Sequence, residues 1–267
     1  MPKIKINDFE LYYELNGAGA PLILISGLGY SLWQWHKMVP FLAEHFQVIT
    51  FDNRGVGQSD KPADLYTAQL LAADTVGLLN ALEIEKAIVM GHSMGGFIAQ
   101  AVALDFPHKV EKLILCSTNF GGPRHVPVTA EAMKVLTDVS SDPLTRFKNG
   151  LAVSTAPGWA EKNPQTIEEW INWRVVNPIE PASYQAQLAI GLALLPEAAA
   201  FENQLSRINI PTLILFGAHD KVVPPANASL LAEKIAGSKV VIFPDAGHFF
   251  PIEIPEAASH AIIEFVK

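Results

Sequence analysis

Apolar and polar positions follow two periods along this chain. The first stretches, "KIKIND" and "FELYYELNG", alternate charged and apolar residues and meet turn signals at Asn7-Asp8 and Asn16-Gly17. They predict two short strands of a hairpin. "PLILISG" and "QVITFD" are short and nearly all apolar, as strands buried on both faces are. Between them "SLWQWHKMVPFLAEHF" has helical spacing, interrupted at Pro40, and "TAQLLAADTVGLLNALEI" repeats apolar residues at helical intervals. "AIVMGHS", "MGGFIAQAVALDFP" and "KLILCST" predict strand, helix, strand; "PTLILFG", "NASLLAEKIAG", "KVVIFPD" and "PEAASHAIIEFVK" resume the rhythm later. Apolar strands separated by helices imply a mostly parallel sheet covered on both faces.

The interval 119–205 breaks this pattern. It carries "FGGPRHVP" and "STAPGW", helical stretches such as "AEAMKVLTDVS" and "TIEEWINWRVV", and no convincing strand. It is expected to be a helical cap (lid) over a core made of 1–118 and 206–267, standing at the sheet's C-terminal edge, where open α/β sheets bind ligands.

Composition narrows the classes. Of 267 residues 49% are hydrophobic, enough for a sizeable core, and the formal charge is −8 with no long basic cluster, so nucleic acid is not an expected partner. The one cysteine, Cys116, lies in an apolar run; it excludes an internal disulfide and fits a cytoplasmic, reducing location as a buried, inert thiol. The start has no signal-peptide core, and the longest uncharged stretch, Ala87 to Leu104, holds His92, Ser93, Gln100 and three glycines, so no membrane span is expected.

The candidate chemistry sits in that stretch. Gly91-His92-Ser93-Met94-Gly95 places a serine on a bend between an apolar strand and a helix, the context the G-x-S-x-G nucleophile motif requires. Small neighbours relieve the clashes of such a bend, and the following helix directs its N-terminus at developing negative charge. A serine hydroxyl is protonated at neutral pH and needs a base. Of eight histidines, His248 in "FPDAGHFFPIEIP" follows the last predicted strand on a glycine-containing loop. His36, His45, His108, His125 and His260 read as surface or helix-end residues, His92 as packing beside the bend, and His219 as a neighbour of the next candidate. Asp220, in "LILFGAHDKVVPP", is the acceptor expected to hold the base's tautomer, whereas Asp245 reads as a turn residue. The backbone N–H groups of Leu28, in "LISGLGYS", and of Met94 are the expected oxyanion donors and substrate contacts.

With "SGLG", "FDNRGVGQSDKP", "GHSMGG", "GAHDKVVP" and "GHFFPIEIPE" in order, the chain resembles the α/β-hydrolase fold family over essentially its whole length. That resemblance implies a mostly parallel eight-stranded sheet flanked by helices, with a helical cap before the last two strands. Ser26 stands where the family more often has histidine, and Arg54 is read as bracing loops rather than binding phosphate. Ser93 argues against haloalkane dehalogenases and epoxide hydrolases, which usually carry Asp there. The likeness is to carboxylesterases, 3-oxoadipate enol-lactonases, meta-cleavage C–C hydrolases and cofactor-free perhydrolases, which share one triad.

The leading expectation is therefore a serine esterase of small to medium, largely apolar carboxylic esters, acting through an acyl-enzyme on Ser93 with Asp220 and His248. No metal or organic cofactor is implied. Apolar residues of the interval, Leu144, Phe147, Leu151, Trp159, Trp170 and Trp173, are expected to pack among their helices, with some lining an acyl pocket. Arg124, Arg146 and Arg174 read first as solvent-exposed. One of them reading a substrate carboxylate would instead suit an enol-lactonase or C–C hydrolase. A ligand-binding receptor on the same fold is a third reading, separated from the enzymes by the absence of fast multiple turnover.

Overall fold

The computed structural model describes residues 2–138 and 140–267, without the side chains of Pro143 and Arg146. Strands β1 (Lys3–Ile6) and β2 (Phe9–Asn16) form the antiparallel hairpin across Asn7-Asp8. Next come β3 (Ala20–Ile25), the short helix α1 (Val39–Leu42), β4 (Phe46–Phe51), α2 (Ala68–Ala81), β5 (Ala87–His92), α3 (Met94–Asp105) and β6 (Val110–Cys116). The chain then enters α4 (Ala130–Leu136), α5 (Pro143–Ser154), α6 (Trp159–Lys162), α7 (Pro164–Val176) and α8 (Pro181–Ala193). It returns through β7 (Thr212–Gly217), α9 (Ala226–Lys234), β8 (Lys239–Phe243), α10 (Phe250–Glu253) and α11 (Pro255–Val266).

The sheet runs β1-β2-β4-β3-β5-β6-β7-β8, antiparallel from β1 to β4 and parallel from there to β8. Its central strands β3, β5, β6 and β7 are mostly apolar on both sides because both faces are covered there. Ile23, Ile25, Val89, Leu113 and Ile214 enter one core with α2, α3 and α9. Their neighbours Leu22, Leu24, Met90, Ile114 and Leu213 enter the other with Trp35, Met38 and α11. This is the two-residue alternation of a strand, read against two layers of helices instead of one.

The helix expected across 31–46 is divided in two. Leu32–Trp35 is a single 3₁₀ turn, capped by Ser31 Oγ accepting from the Trp33 N–H at 3.2 Å, and α1 begins afresh with Pro40 in its first turn. A proline inside one continuous helix would delete a hydrogen bond and collide with the preceding turn; in a first turn it does neither.

Helices α4 to α8 are inserted between β6 and β7, before the last two strands. Apolar contacts of two kinds help bind them to the core. Ile190 and Leu194 join the core beside α3. A second apolar cluster joins Tyr30, Trp33 and Phe249 to Phe147, Trp159, Trp170 and Trp173, with Trp33 stacked on Trp173 at 4.7 Å between centroids. The chain passes outward from β3 to β4 and then back to β5 on the other side of β3. The segments after β3 and β5 therefore leave for opposite faces of the sheet, Trp35 and Met38 on one and α3 on the other, at the C-terminal edge where ligands bind in such sheets.

Candidate active site

Ser93 stands alone between β5 and α3, at φ +55° and ψ −119°, a backbone geometry L-residues rarely adopt. Such a conformation costs about 1–3 kcal/mol and persists only when its surroundings over-determine it. They do here. The Ser93 N–H donates to Cys116 O at 2.9 Å, and Ser93 O accepts from Gly96 N–H and Thr118 Oγ1, each at 2.9 Å. A Cβ on Gly95 would overlap the carbonyl oxygen of Ile25, and one on Gly91 would overlap that of Gly95. The motif's glycines are therefore where the backbones of β3, β5 and α3 touch.

Asp220 follows β7 and His248 follows β8, so both rise from the same edge as Ser93, because β5 to β8 run parallel. The His248 Nδ1–H donates to Asp220 Oδ2 at 2.8 Å, with both side chains buried. Asp220 Oδ1 accepts from the N–H groups of Val222 and Val223 at 2.9 and 2.7 Å. The carboxylate is thus immobilised on one oxygen and presents the other to the imidazole. His248's ring lies 4.7 Å from that of His92, the residue before Ser93, which brings it against the bend. Among the described residues neither Ser93 Oγ nor His248 Nε2 has a hydrogen-bond partner.

The loop after β3 is held almost amide by amide. Gly27 N–H donates to Gln34 Oε1 at 2.9 Å, Gly29 N–H to Gln187 Oε1 at 2.9 Å, and Tyr30 N–H to Gly27 O at 3.2 Å. The amide between the two glutamine-bound ones, that of Leu28, has no acceptor among the described residues. The Met94 amide opens α3, where helix N–H groups lack intrahelical acceptors. The loop sits against the bend, since a Cβ on Gly27 would come within 3.3 Å of Ser93 Cβ. Ser26 donates to Ser31 O at 3.0 Å and accepts at its carbonyl from Asn53 Nδ2 at 3.2 Å, so it braces the loop from within.

Three polar groups here escaped the sequence reading. Gln34 and Gln187 are the glutamines just named; each is a fully buried amide on a helix that packs against the core, and no motif marks either. Glu253 is a lone carboxylate in "FFPIEIP". Its Oε1 accepts from Gly247 N–H at 3.0 Å and its Oε2 from Ala156 N–H at 2.7 Å, tying the His248 loop to the end of α5. Burial pushes its carboxyl up to about 7, with Asp220's charge adding to the effect.

The remaining candidates fall away from this chemistry or acquire other partners. His45, His108 and His219 are exposed, His260 faces Glu264 at 3.7 Å, and His36 stacks on Trp33. His125 bonds Gly122 O at 2.5 Å. Arg54 is buried in a bidentate pair with Asp74 at 2.7 and 2.8 Å, which suits bracing. Burial raises the Cys116 thiol well above its ordinary range, as an inert thiol requires. Arg124 pairs with Glu202 at 2.9 Å. Arg174 departs from the expected solvent exposure: it is half-buried over the Tyr30 ring, 4.2 Å from its centroid, and donates to Gly29 O at 3.3 Å. The Arg146 side chain lies outside the described residues. Among those residues no group of three or more His, Cys, Asp or Glu is arranged to hold a metal, and no helix is long and apolar enough to cross a membrane.

Known proteins resemble this chain over nearly its whole length. A candidate non-heme bromoperoxidase of Mycobacterium tuberculosis is 31% identical over 262 residues, 96% of this chain and 97% of that protein. The 3-oxoadipate enol-lactonase 2 of Acinetobacter baylyi is 29% identical over 266 residues, 97% of this chain and 94% of its own. A solved thermophilic esterase from Thermogutta terrifontis, with malate bound, superposes with a TM-score of 0.82 at 28% identity, covering 100% of this chain and 98% of that one. The family model described as the alpha/beta hydrolase fold matches residues 20–255, from β3 into the start of α11. The chain belongs to the α/β-hydrolase fold family.

Proposed function

We propose that the protein is a serine hydrolase cleaving carboxylic esters of small to medium, largely apolar substrates. The observation that carries this reading is the buried Asp220–His248 bond of 2.8 Å, rising at the same sheet edge as the constrained Ser93. Asp220 holds His248 with the proton on Nδ1, so the bare Nε2 is the base. As the ester enters, Nε2 takes the proton of Ser93 Oγ, and Oγ bonds to the carbonyl carbon. The carbonyl oxygen becomes an oxyanion, held by the amides of Leu28 and Met94. The tetrahedral adduct collapses, the ester C–O bond breaks, and His248 passes its proton to the departing alcohol. A water then gives a proton to Nε2, attacks the acyl carbon and releases the acid, and the proton returns to Ser93. The hydroxyl–imidazole bond forms with substrate present, as catalytic hydrogen bonds often are made only in the substrate complex. Residues 119–205 form the lid of this site, and 1–118 with 206–267 its core.

The test is a panel of p-nitrophenyl esters with wild type and Ser93→Ala. Turnover is expected to vanish in a variant that melts like wild type; undiminished turnover overturns the reading. Arg174 favours a second reading, a carboxylate-bearing lactone or ring-fission product, because its half-buried guanidinium lies beside Gly29 with a buried, unpartnered Nε. A strong preference for such substrates over neutral esters, lost in Arg174→Met, would replace the first reading with this one.

A further inference from the structure

The loop that carries Leu28 is gripped from both sides of the sheet–insert boundary. Gln34 holds Gly27 from the core, while Gln187 reaches it from α8, more than 150 residues along the chain. Gln187 is almost fully buried, and both ends of its amide are used: Oε1 accepts from Gly29 N–H at 2.9 Å and Nε2 donates to Arg54 O at 3.1 Å. Arg54 is itself fixed by its buried pair with Asp74. Gln187 therefore bridges an immobile point of the core and the peptide immediately after Leu28. Arg174 of α7 takes Gly29 O, so the insert holds Gly29 by both its N–H and its C=O. A side chain with no reason to be polar beyond these two bonds would leave two buried backbone groups unpaired if it were apolar.

We infer that Gln187 is a positioning residue for ester cleavage: through Gly29 it aims the Leu28 N–H at the oxyanion. The insert then completes the site rather than covering one already built, and full turnover requires α8 docked on the loop. This inference rests on the serine-hydrolase reading above. Because the oxyanion forms only in the transition state, a misaimed donor lowers kcat and leaves substrate affinity largely intact.

The experiment compares wild type, Gln187→Met, Gln187→Glu and Ser93→Ala on a p-nitrophenyl ester, with thermal melts of each. Met keeps length and helix preference without either hydrogen bond. A buried, protonated Glu restores both, accepting from Gly29 and donating to Arg54 O. The expected kcat loss for Gln187→Met is about 10- to 100-fold with KM changed less than about threefold, since losing a whole donor costs about 10²–10³. Gln187→Glu is expected to recover most of the loss. Inhibition by a trifluoromethyl ketone, whose adduct carries the oxyanion, weakens in step with kcat/KM across the series. An unchanged kcat in folded Gln187→Met, a loss confined to KM, or equal losses in Met and Glu overturns the inference while Ser93-dependent hydrolysis stands. Should the Met variant not fold, Gln187→Glu decides alone: its kcat relative to wild type must fall as rising pH removes the proton bonding Arg54 O, and a flat ratio overturns it. Turnover that survives Ser93→Ala overturns the underlying reading instead.

Discussion

His92 Nε2 lies 2.7 Å from the backbone oxygen of His248, joining the residue before Ser93 to the residue that would serve as its base. Burial holds the His92 imidazole well below its ordinary pKa, with His248 adding to the effect, so the ring is neutral and Nε2–H is the donor. Its other nitrogen is buried and unpartnered. His92 is thus a rigid spacer between the bend and the base loop, a role its packing position in the sequence did not announce.

Replacing that donor should loosen the base without touching substrate. His92→Phe keeps the aromatic volume and leaves His248 O without its bond. We expect kcat to fall about 10- to 100-fold, as small misplacements of a reacting group do. We also expect stability to drop by about 1–3 kcal/mol for the stranded carbonyl. Steady-state kinetics and urea unfolding measure the two separately; unchanged kcat in the folded variant would dismiss the spacer role.

Asp220→Asn tests the acceptor. The substituted side chain can keep its oxygen on the Val222 and Val223 amides, so the loop should survive. Its amide group, however, donates toward His248 Nδ1 and favours the wrong tautomer. Turnover is expected to fall on the order of 10³–10⁴-fold with an unaltered melting curve. Activity within tenfold of wild type would remove Asp220 from the mechanism.

Two glycines separate close backbone approach from mere helix propensity. Gly95→Ala sets a methyl group against the Ile25 and Ser26 carbonyls, which are pinned in the sheet and its loop, so the variant should lose its native melting transition or its activity. Gly150, in α5, has open space where a Cβ would be added. Gly150→Ala should raise stability by up to about 1 kcal/mol by helix propensity alone. Differential scanning calorimetry of both variants checks the contrast, which fails if their effects share a sign.

Glu253 should impose a pH dependence on stability. Its carboxyl titrates at about 7 in the folded protein against an ordinary 4.5. Between those values the folded state holds more protons than the unfolded one, so this group's contribution to stability falls as pH rises, reaching its full loss above about 7. The shift corresponds to about 3 kcal/mol. Glu253→Gln removes the titration, so the stability difference, wild type minus variant, should decline from pH 4.5 to 8 in urea unfolding. Parallel curves would show that Glu253 is not held protonated by the fold.

Periodicity and turn chemistry, both local properties, were enough to read from the sequence a mostly parallel sheet, the order of the elements along the chain and the helices inserted before β7, while the eight-stranded sheet came from the resemblance to a known fold. The bend at Ser93 was legible for the same reason: a strand, three small residues and a helix must be contiguous to make it. Asp220 and His248 could be named as candidates because parallel strands bring their following loops to one edge. The helical break at Pro40 was visible, but its outcome depended on a 3₁₀ turn capped by Ser31. Tertiary structure alone decided the partnerships of Gln34, Gln187, Glu253 and His92, and the half-buried position of Arg174. Each of these side chains bonds a backbone group or stacks on a ring that reaches it only through folding. A lone polar residue in an apolar run marks that some buried partner exists; which one is settled by packing between helices and strands far apart in the chain.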